Sequence, residues 1–161
     1  TVNDVTGLYL WMFRLRWNHT VLQLNSIEEG PFLKKNGGST SGLMLSPLTI
    51  PEINGAGRIN ELACSLVGGV SGVDGSGTIA MLNFTCLAMG NTVLEFWEES
   101  PYFEPATDLL NSGGVSIPHT ATPGEVSVVP EFPVFVLTAV FLLATLFVVA
   151  LGRKRMRRLK A

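Results

Sequence analysis

The chain has 161 residues, is 47% hydrophobic and carries a net charge of −2, which allows one domain and a membrane segment. Six of its eleven basic residues follow Gly152, and all thirteen acids lie at or before Glu131, so the larger part sets five basic residues (Arg14, Arg16, Lys34, Lys35, Arg58) against thirteen acids. So acidic a surface disfavours nucleic acid, and no nucleic-acid partner is expected, because phosphate recognition needs a basic footprint.

Residues 8–17 sort by period two. Tyr9, Trp11, Phe13, Leu15 and Trp17 share one face, with Leu8, Leu10, Met12, Arg14 and Arg16 on the other. A wholly apolar face opposite one that turns polar at Arg14 predicts a strand with an aromatic core side. A sugar-stacking platform is the alternative, and it requires those rings to be exposed. Residues 21–27 form a second predicted strand, ended by Glu28-Glu29-Gly30-Pro31, and 37–42 is a Gly/Ser loop. Residues 43–50 read as a strand that Pro47 restricts to an edge. Asn54-Gly55 reads as a turn. Strands follow at 58–66 and 78–88, joined by the glycine-rich stretch 68–77, then at 92–97, with shorter candidates at 108–110 and 125–129. No amphipathic helix of ordinary length stands out. The expected class is therefore all-β, a sandwich or jelly roll over residues 1–129.

Pro130, Glu131, Phe132 and Pro133 form a short spacer. Residues 134–151 then carry no charge, and a helix of that length covers roughly 27 Å, close to the hydrocarbon thickness of a bilayer. The tail 152–161 holds Arg153, Lys154, Arg155, Arg157, Arg158 and Lys160. Such residues stay on the cytoplasmic side, and they can also touch anionic headgroups. The pattern predicts one transmembrane helix at the cell membrane, with residues 1–129 held close outside it. The sequence shows no initiator Met and no signal peptide, so export implies a leader that precedes Thr1 or has been removed.

Cys64 and Cys86 are the two cysteines. Alternation groups Cys64 with Leu62 and Leu66, and Cys86 with Ala80, Leu82 and Phe84, so both are expected to point inward. In an oxidising exterior they are candidates for one disulfide, and two buried free thiols are the alternative. Two cysteines without clustered histidines supply too few metal ligands, and no metal or cofactor is expected. Asn18-His19-Thr20 and Asn83-Phe84-Thr85 are sequons, which makes Asn18 and Asn83 candidate glycosylation sites. His19 and His119 lack a nucleophile in a recognisable arrangement. Glu28-Glu29 and Glu98-Glu99 are adjacent pairs whose members point to opposite faces of a strand, unsuited to joint acid–base work. Asp74 and Asp108 lack the spacing of a calcium loop, and 68–77 lacks the lysine and helix start of a phosphate cradle. No catalytic residue is assigned, and the chain is not read as an enzyme.

Gly7-Leu8-Tyr9 through Trp17-Asn18, Val21-Leu22 and Glu28-Glu29-Gly30-Pro31-Phe32-Leu33 resemble the opening of cohesin-like domains. Gly57-Arg58-Ile59, Cys64-Ser65-Leu66, Gly75-Ser76-Gly77-Thr78-Ile79-Ala80 and Ile117-Pro118-His119 continue the resemblance in order, over residues 1–129. The whole is similar to the cohesin-type modules of archaeal surface proteins. That resemblance implies a jelly roll of about nine strands, related in fold to carbohydrate-binding modules. It implies binding of a dockerin-type protein or of a polysaccharide, without a catalytic site. The chain departs from the pattern at its start, where family members carry a further strand before the position of Thr1. Pro130, Glu131, Phe132 and Pro133 before an apolar span and basic tail also resemble an archaeal sorting signal. That likeness implies either enzymatic processing and attachment to the cell surface or a retained anchor.

The combined expectation is a surface-anchored, non-catalytic binding module. Two other readings stand beside it: a structural subunit or spacer of the cell envelope, and an accessory fragment of a polysaccharide-active protein.

Overall fold

A computed structural model describes residues 1–46, 49–98 and 106–129, together with 138, 141–143 and 145. Its strands are β1 (Val2–Leu8), β2 (Leu10–Arg16), β3 (Leu22–Glu29), β4 (Met44–Ser46), β5 (Arg58–Ser65), β6 (Val73–Gly77), β7 (Ala80–Cys86), β8 (Gly90–Phe96), β9 (Thr107–Leu110) and β10 (Gly124–Val128). One helix, α1 (Ile50–Ala56), lies between β4 and β5.

The larger sheet has the order β10-β8-β2-β5-β4, with β9 also paired to β2. β2 meets β5 along one edge, while β9 (at residues 10–13) and β8 (at 15–16) divide the other. The opposing layer of the sandwich consists of the pairs β1-β6 and β3-β7. All named pairings are antiparallel. β4 lies at a sheet edge, and Pro47, on which the edge expectation rested, lies outside the described residues.

The aromatic side of β2 fills the space between the layers. Trp11 is fully buried, and Phe13, Leu15 and Trp17 are nearly so. Trp11 stacks on Phe13 at 5.5 Å, Phe13 meets Phe96 edge-on at 6.0 Å, and Trp17 meets Phe84 of β7 edge-on at 5.1 Å. Such geometries add about 0.5–1.5 kcal/mol each beyond area burial. The Trp17 indole N–H donates to the Leu22 carbonyl at 3.0 Å.

Three elements differ from the sequence reading, each for a local reason. β1 was not expected. Its buried residues are Val2, Val5 and Leu8, a spacing of three, whereas a regular strand buries every second residue. Two register shifts against β6 produce that spacing, and Asp4 (φ 50°) and Gly7 (φ 69°) supply the left-handed residues. These are bulges, which add a residue and bend the strand. β6 falls inside the stretch expected to be a loop. Gly77 serves close packing, since a Cβ there would stand 2.5 Å from the Phe32 ring, and Gly75 supplies a left-handed backbone (φ 105°).

The third difference is α1, which replaces the predicted continuation of a strand to residue 50 and the turn at Asn54-Gly55. Thr49, Pro51 and Glu52 form a helix-start signature. The Glu52 carboxylate accepts from the Thr49 N–H at 2.7 Å and its hydroxyl at 2.8 Å. Gly57 ends the helix in the left-handed conformation. Asn54 then faces β3, where its Oδ1 accepts from the Leu24 N–H at 2.7 Å and its Nδ2 donates to the Leu24 carbonyl at 2.8 Å.

Residues Thr1–Val128 form one compact unit and Val129–Ala161 another. In the second, residues 138, 141–143 and 145 are helical, and the Thr145 hydroxyl donates to the Leu142 carbonyl. Among the described residues no helix is long and apolar enough to cross a membrane. The predicted span 134–151 lies mostly outside them, and the spacer 130–133 and basic tail 152–161 entirely so.

Replacing Asn54 by Ala leaves both Leu24 backbone groups without their partner. The expected loss is about 1–3 kcal/mol, read as a lower urea midpoint with an unchanged slope.

Candidate partner-binding face

The alternation that buries Trp11, Phe13 and Leu15 turns Leu10, Met12, Arg14 and Arg16 to the outer face of the larger sheet. Strand register extends that face sideways. Asp108 of β9, Met12 of β2, Ala63 of β5 and Met44 of β4 lie in one cross-strand row. Met12 and Ala63 are buried yet stand outside the inner core cluster. Met44, at the edge, is 44% exposed.

A second row, four residues further along β2, joins Glu95 of β8, Arg16 and Arg58 of β5. Glu95 Oε2 accepts from Arg16 Nε at 2.8 Å and lies 2.7 Å from Nη2. Both side chains are about half exposed, so the pair contributes at most about 1 kcal/mol to stability. The Arg58 guanidinium sits 5.0 Å from the centre of the Trp97 ring, whose Nε1–H donates to the Ile59 carbonyl. On β8 the exposed Val93 and Asn91 continue the face, with the Ser127 hydroxyl of β10 donating to Asn91 Oδ1 at 2.8 Å. The face thus combines an apolar row with two fixed guanidinium groups in an otherwise acidic domain. Among the described residues of 1–128, no aromatic side chain is in the exposed class. Sequence reading missed these rows, because register across strands is not a local property of the chain.

Between the layers lies a cleft of about 730 Å³, lined by apolar side chains that include Val5, Leu82, Phe96 and Ile117. His119 stands at this cleft and has a neighbour the sequence reading did not give it. The Thr107 hydroxyl lies 2.9 Å from Nε2, and Nδ1 lies 2.8 Å from the Ile117 carbonyl. A carbonyl only accepts, so Nδ1 carries the proton and Nε2 accepts from Thr107. The arrangement clasps the segment after β9 to that strand. His19 is exposed in the turn after β2. Among the described residues no three His, Cys, Asp or Glu side chains cluster as metal ligands.

The cysteines do not meet the expected pattern. Cys64 is buried on β5, but Cys86 is exposed at the end of β7, and both are free. Alternation holds as far as Leu82 and Phe84, which pack on the core, and fails at the strand's last residue. The disulfide reading is therefore corrected to two free thiols in different sheets. Burial foremost, and then the charge of Glu29, pushes the Cys64 thiol above its ordinary value. For Glu29 itself burial opposes ionisation. The Lys34 ammonium at 2.8 Å and the Thr40 hydroxyl outweigh it and hold the carboxyl below its usual 4.5. Glu28 is exposed beside it, as are Glu98 and Asp74. Asp74 accepts from the Gly7 N–H, and Asp108 from the Ser116 hydroxyl. Asn18 and Asn83 are both exposed. The Thr20 hydroxyl donates to Asn18 Oδ1 at 2.7 Å within the first sequon.

No protein-family model and no curated protein matches the sequence. Solved structures do resemble the fold. The second type II cohesin module of the adaptor scaffoldin ScaA from Acetivibrio cellulolyticus aligns with a TM-score of 0.57 and 19% identity, covering 82% of this chain and 80% of that one. A type II cohesin in complex with an X-dockerin, from the same organism, gives 0.56 and 19%, covering 77% and 83%. A non-cellulosomal cohesin from the hyperthermophilic archaeon Archaeoglobus fulgidus gives 0.52 and 11%, covering 80% and 75%. The β-sandwich of this chain is therefore cohesin-like in fold.

Two measurements check this chemistry. A thiol reagent should modify one cysteine in the native protein, Cys86, and two in urea, as counted by intact mass. Because the Glu29 pKa is lowered by folding, its stabilising contribution is complete above 4.5 and is lost as pH falls through the folded-state value. Urea midpoints of the parent and Glu29→Gln should accordingly differ near neutrality and converge as the solution is acidified.

Proposed function

We propose that residues 1–129 are a non-catalytic binding module for a dockerin-type protein, displayed at the cell surface. The observation that carries this reading is the outer face of the larger sheet, with its apolar row through Met12, Ala63 and Met44 beside Arg16 and Arg58. The exposed Met44 and Val93 supply apolar area to desolvate, and the arginines supply charges to set register, the two ingredients of a protein interface. A fold shared with a cohesin solved together with an X-dockerin supports the same partner class. A polysaccharide draws less support, because sugar stacking needs exposed rings, and among the described residues of 1–128 the Trp, Tyr and Phe rings are buried or, like Tyr9, Phe84 and Phe96, only partly exposed.

Anchoring rests on sequence: the uncharged run 134–151, the cations of 152–161 and the Pro130, Glu131, Phe132, Pro133 spacer. In this reading the span holds the module outside, and the spacer marks where processing would release it for another attachment. Asn18 and Asn83, both exposed, are the glycan acceptors. A second reading, a structural subunit of the envelope, draws support from the sheet edges at β4 and β10, which can pair with another chain.

Titration of the full chain in detergent against a panel of purified dockerin modules tests the first reading. Binding to at least one module is expected. Met44→Glu and Arg16→Glu should each weaken it by about tenfold or more, near 1.4 kcal/mol. Absence of binding, together with concentration-dependent self-association, would favour the envelope reading.

A further inference from the structure

The sequon Asn18-His19-Thr20 follows β2 directly, and the backbone shows which way its asparagine faces. Successive N–H groups of an extended chain point to opposite edges. The Trp17 N–H donates to the Gly57 carbonyl at 2.9 Å, just before β5, and the Asn18 N–H donates to the Thr92 hydroxyl of β8 at 2.8 Å. The chain is therefore still extended at Asn18, although β2 itself ends at Arg16. Alternation continues with it: Trp17 is buried in the core, and Arg16 and Asn18 are exposed on the outer side. Two residues of strand cover about 7 Å. Asn18 thus stands one step beyond the row of Glu95, Arg16 and Arg58, and continuing the pairing of Arg16 with Glu95 sets it level with the exposed Val93.

The Asn18 side chain is held in one orientation. Its Oδ1 accepts from the Thr20 N–H at 3.0 Å and from the Thr20 hydroxyl at 2.7 Å. A backbone N–H needs an acceptor, so the amide oxygen faces Thr20 and the nitrogen is turned away from it. Asn83 is placed differently. It lies within β7 opposite Ser26 of β3, and its Oδ1 accepts at 3.4 Å from Asn25 Nδ2, which also donates to the Thr85 hydroxyl at 2.9 Å. Its neighbour Phe84 packs on Trp17. An enzyme that closes round the Asn83 sequon has to peel β7 from β3, whereas opening the turn at Asn18 is a local event.

We infer that Asn18 is the site of N-glycosylation on the folded domain, and that its glycan covers the Arg16–Arg58 end of the outer face and closes it to a protein partner. The inference rests on the exterior and partner-binding readings above. In the transfer a bond forms between Nδ2 and the anomeric carbon of a lipid-linked glycosyl phosphate. The bond from that carbon to the phosphate breaks, the phosphate leaves with the electron pair, and a base of the transferase takes an Nδ2 proton. Negative charge develops on Oδ1 as the proton leaves, and both Thr20 donors are aimed there. A bulky, solvated glycan rooted beside Arg16 then occupies the volume a partner must enter, where the charges set register. Asn83 lies in the opposing layer, so a glycan added there before β7 pairs leaves the face open.

The test presents the folded full chain in detergent to an oligosaccharyltransferase and a lipid-linked oligosaccharide. Intact mass should show one added glycan on the parent and none on Asn18→Gln. A dockerin module that binds the unmodified chain should bind the glycosylated chain at least tenfold more weakly. Asn18→Gln carried through the same treatment should bind like the unmodified chain, which also checks its folding. A second readout needs no partner. In a Cys86→Ser background, a polymer-linked maleimide should react several-fold more slowly with Val93→Cys once Asn18 is glycosylated. Its rate with Ser71→Cys should not change, since exposed Ser71 lies near Tyr9, at the opposite end of β2. Addition of glycan to Asn18→Gln, or no addition to the folded parent, would overturn the site. Equal Val93→Cys rates with and without glycan would overturn the shielding. Slowed labelling with undiminished dockerin binding would overturn the gate. Failure of every dockerin module to bind the unmodified chain would overturn the partner reading and the gate with it, while mass and labelling rates still decide the site and the shielding.

Discussion

Strand β2 is the constraint on which the domain depends. Both of its edges are occupied, by β5 on one side and by β9 and β8 on the other. Its inner side chains Trp11, Phe13 and Leu15, with Trp17 just after it, fill the gap between the layers, and truncating a buried Trp or Phe in such a position typically costs about 3–5 kcal/mol. Its outer side chains, Met12 and Arg16, anchor both rows of the candidate binding face. One seven-residue strand therefore serves the core and the candidate face at once. A change in its register by a single residue would exchange the two sets, so the face is only as well defined as the core behind it.

The strands that were legible in the sequence are those with unbroken alternation. β2, β5 and β7 announce themselves through Trp11-Phe13-Leu15, Leu62-Cys64 and Leu82-Phe84. β1 was illegible because Asp4 and Gly7 change its period from two to three. β6 was illegible because glycine, a poor strand former, is present there for the sake of close approach to Phe32. The helix had a readable start in Thr49, Pro51 and Glu52, but Asn54-Gly55 carried the stronger conventional meaning of a turn. Cys86 was misjudged because alternation specifies a side only while a neighbouring layer covers that side. The rows of the candidate face had no local signal at all. They arise from residues as distant as Met12, Met44, Ala63 and Asp108, brought level by pairing.

The side chain of Asn54 has a consequence of its own. Its amide presents to Leu24 the donor and acceptor that a third strand would present. It occupies the ladder position without offering a further edge beyond it, much as a terminator stops a growing polymer. β3 belongs to a two-stranded pair whose other flank would otherwise be able to recruit the same segment of a second molecule, and then a third. One asparagine thereby sets a limit on fibrous growth through this layer when identical domains meet at high concentration.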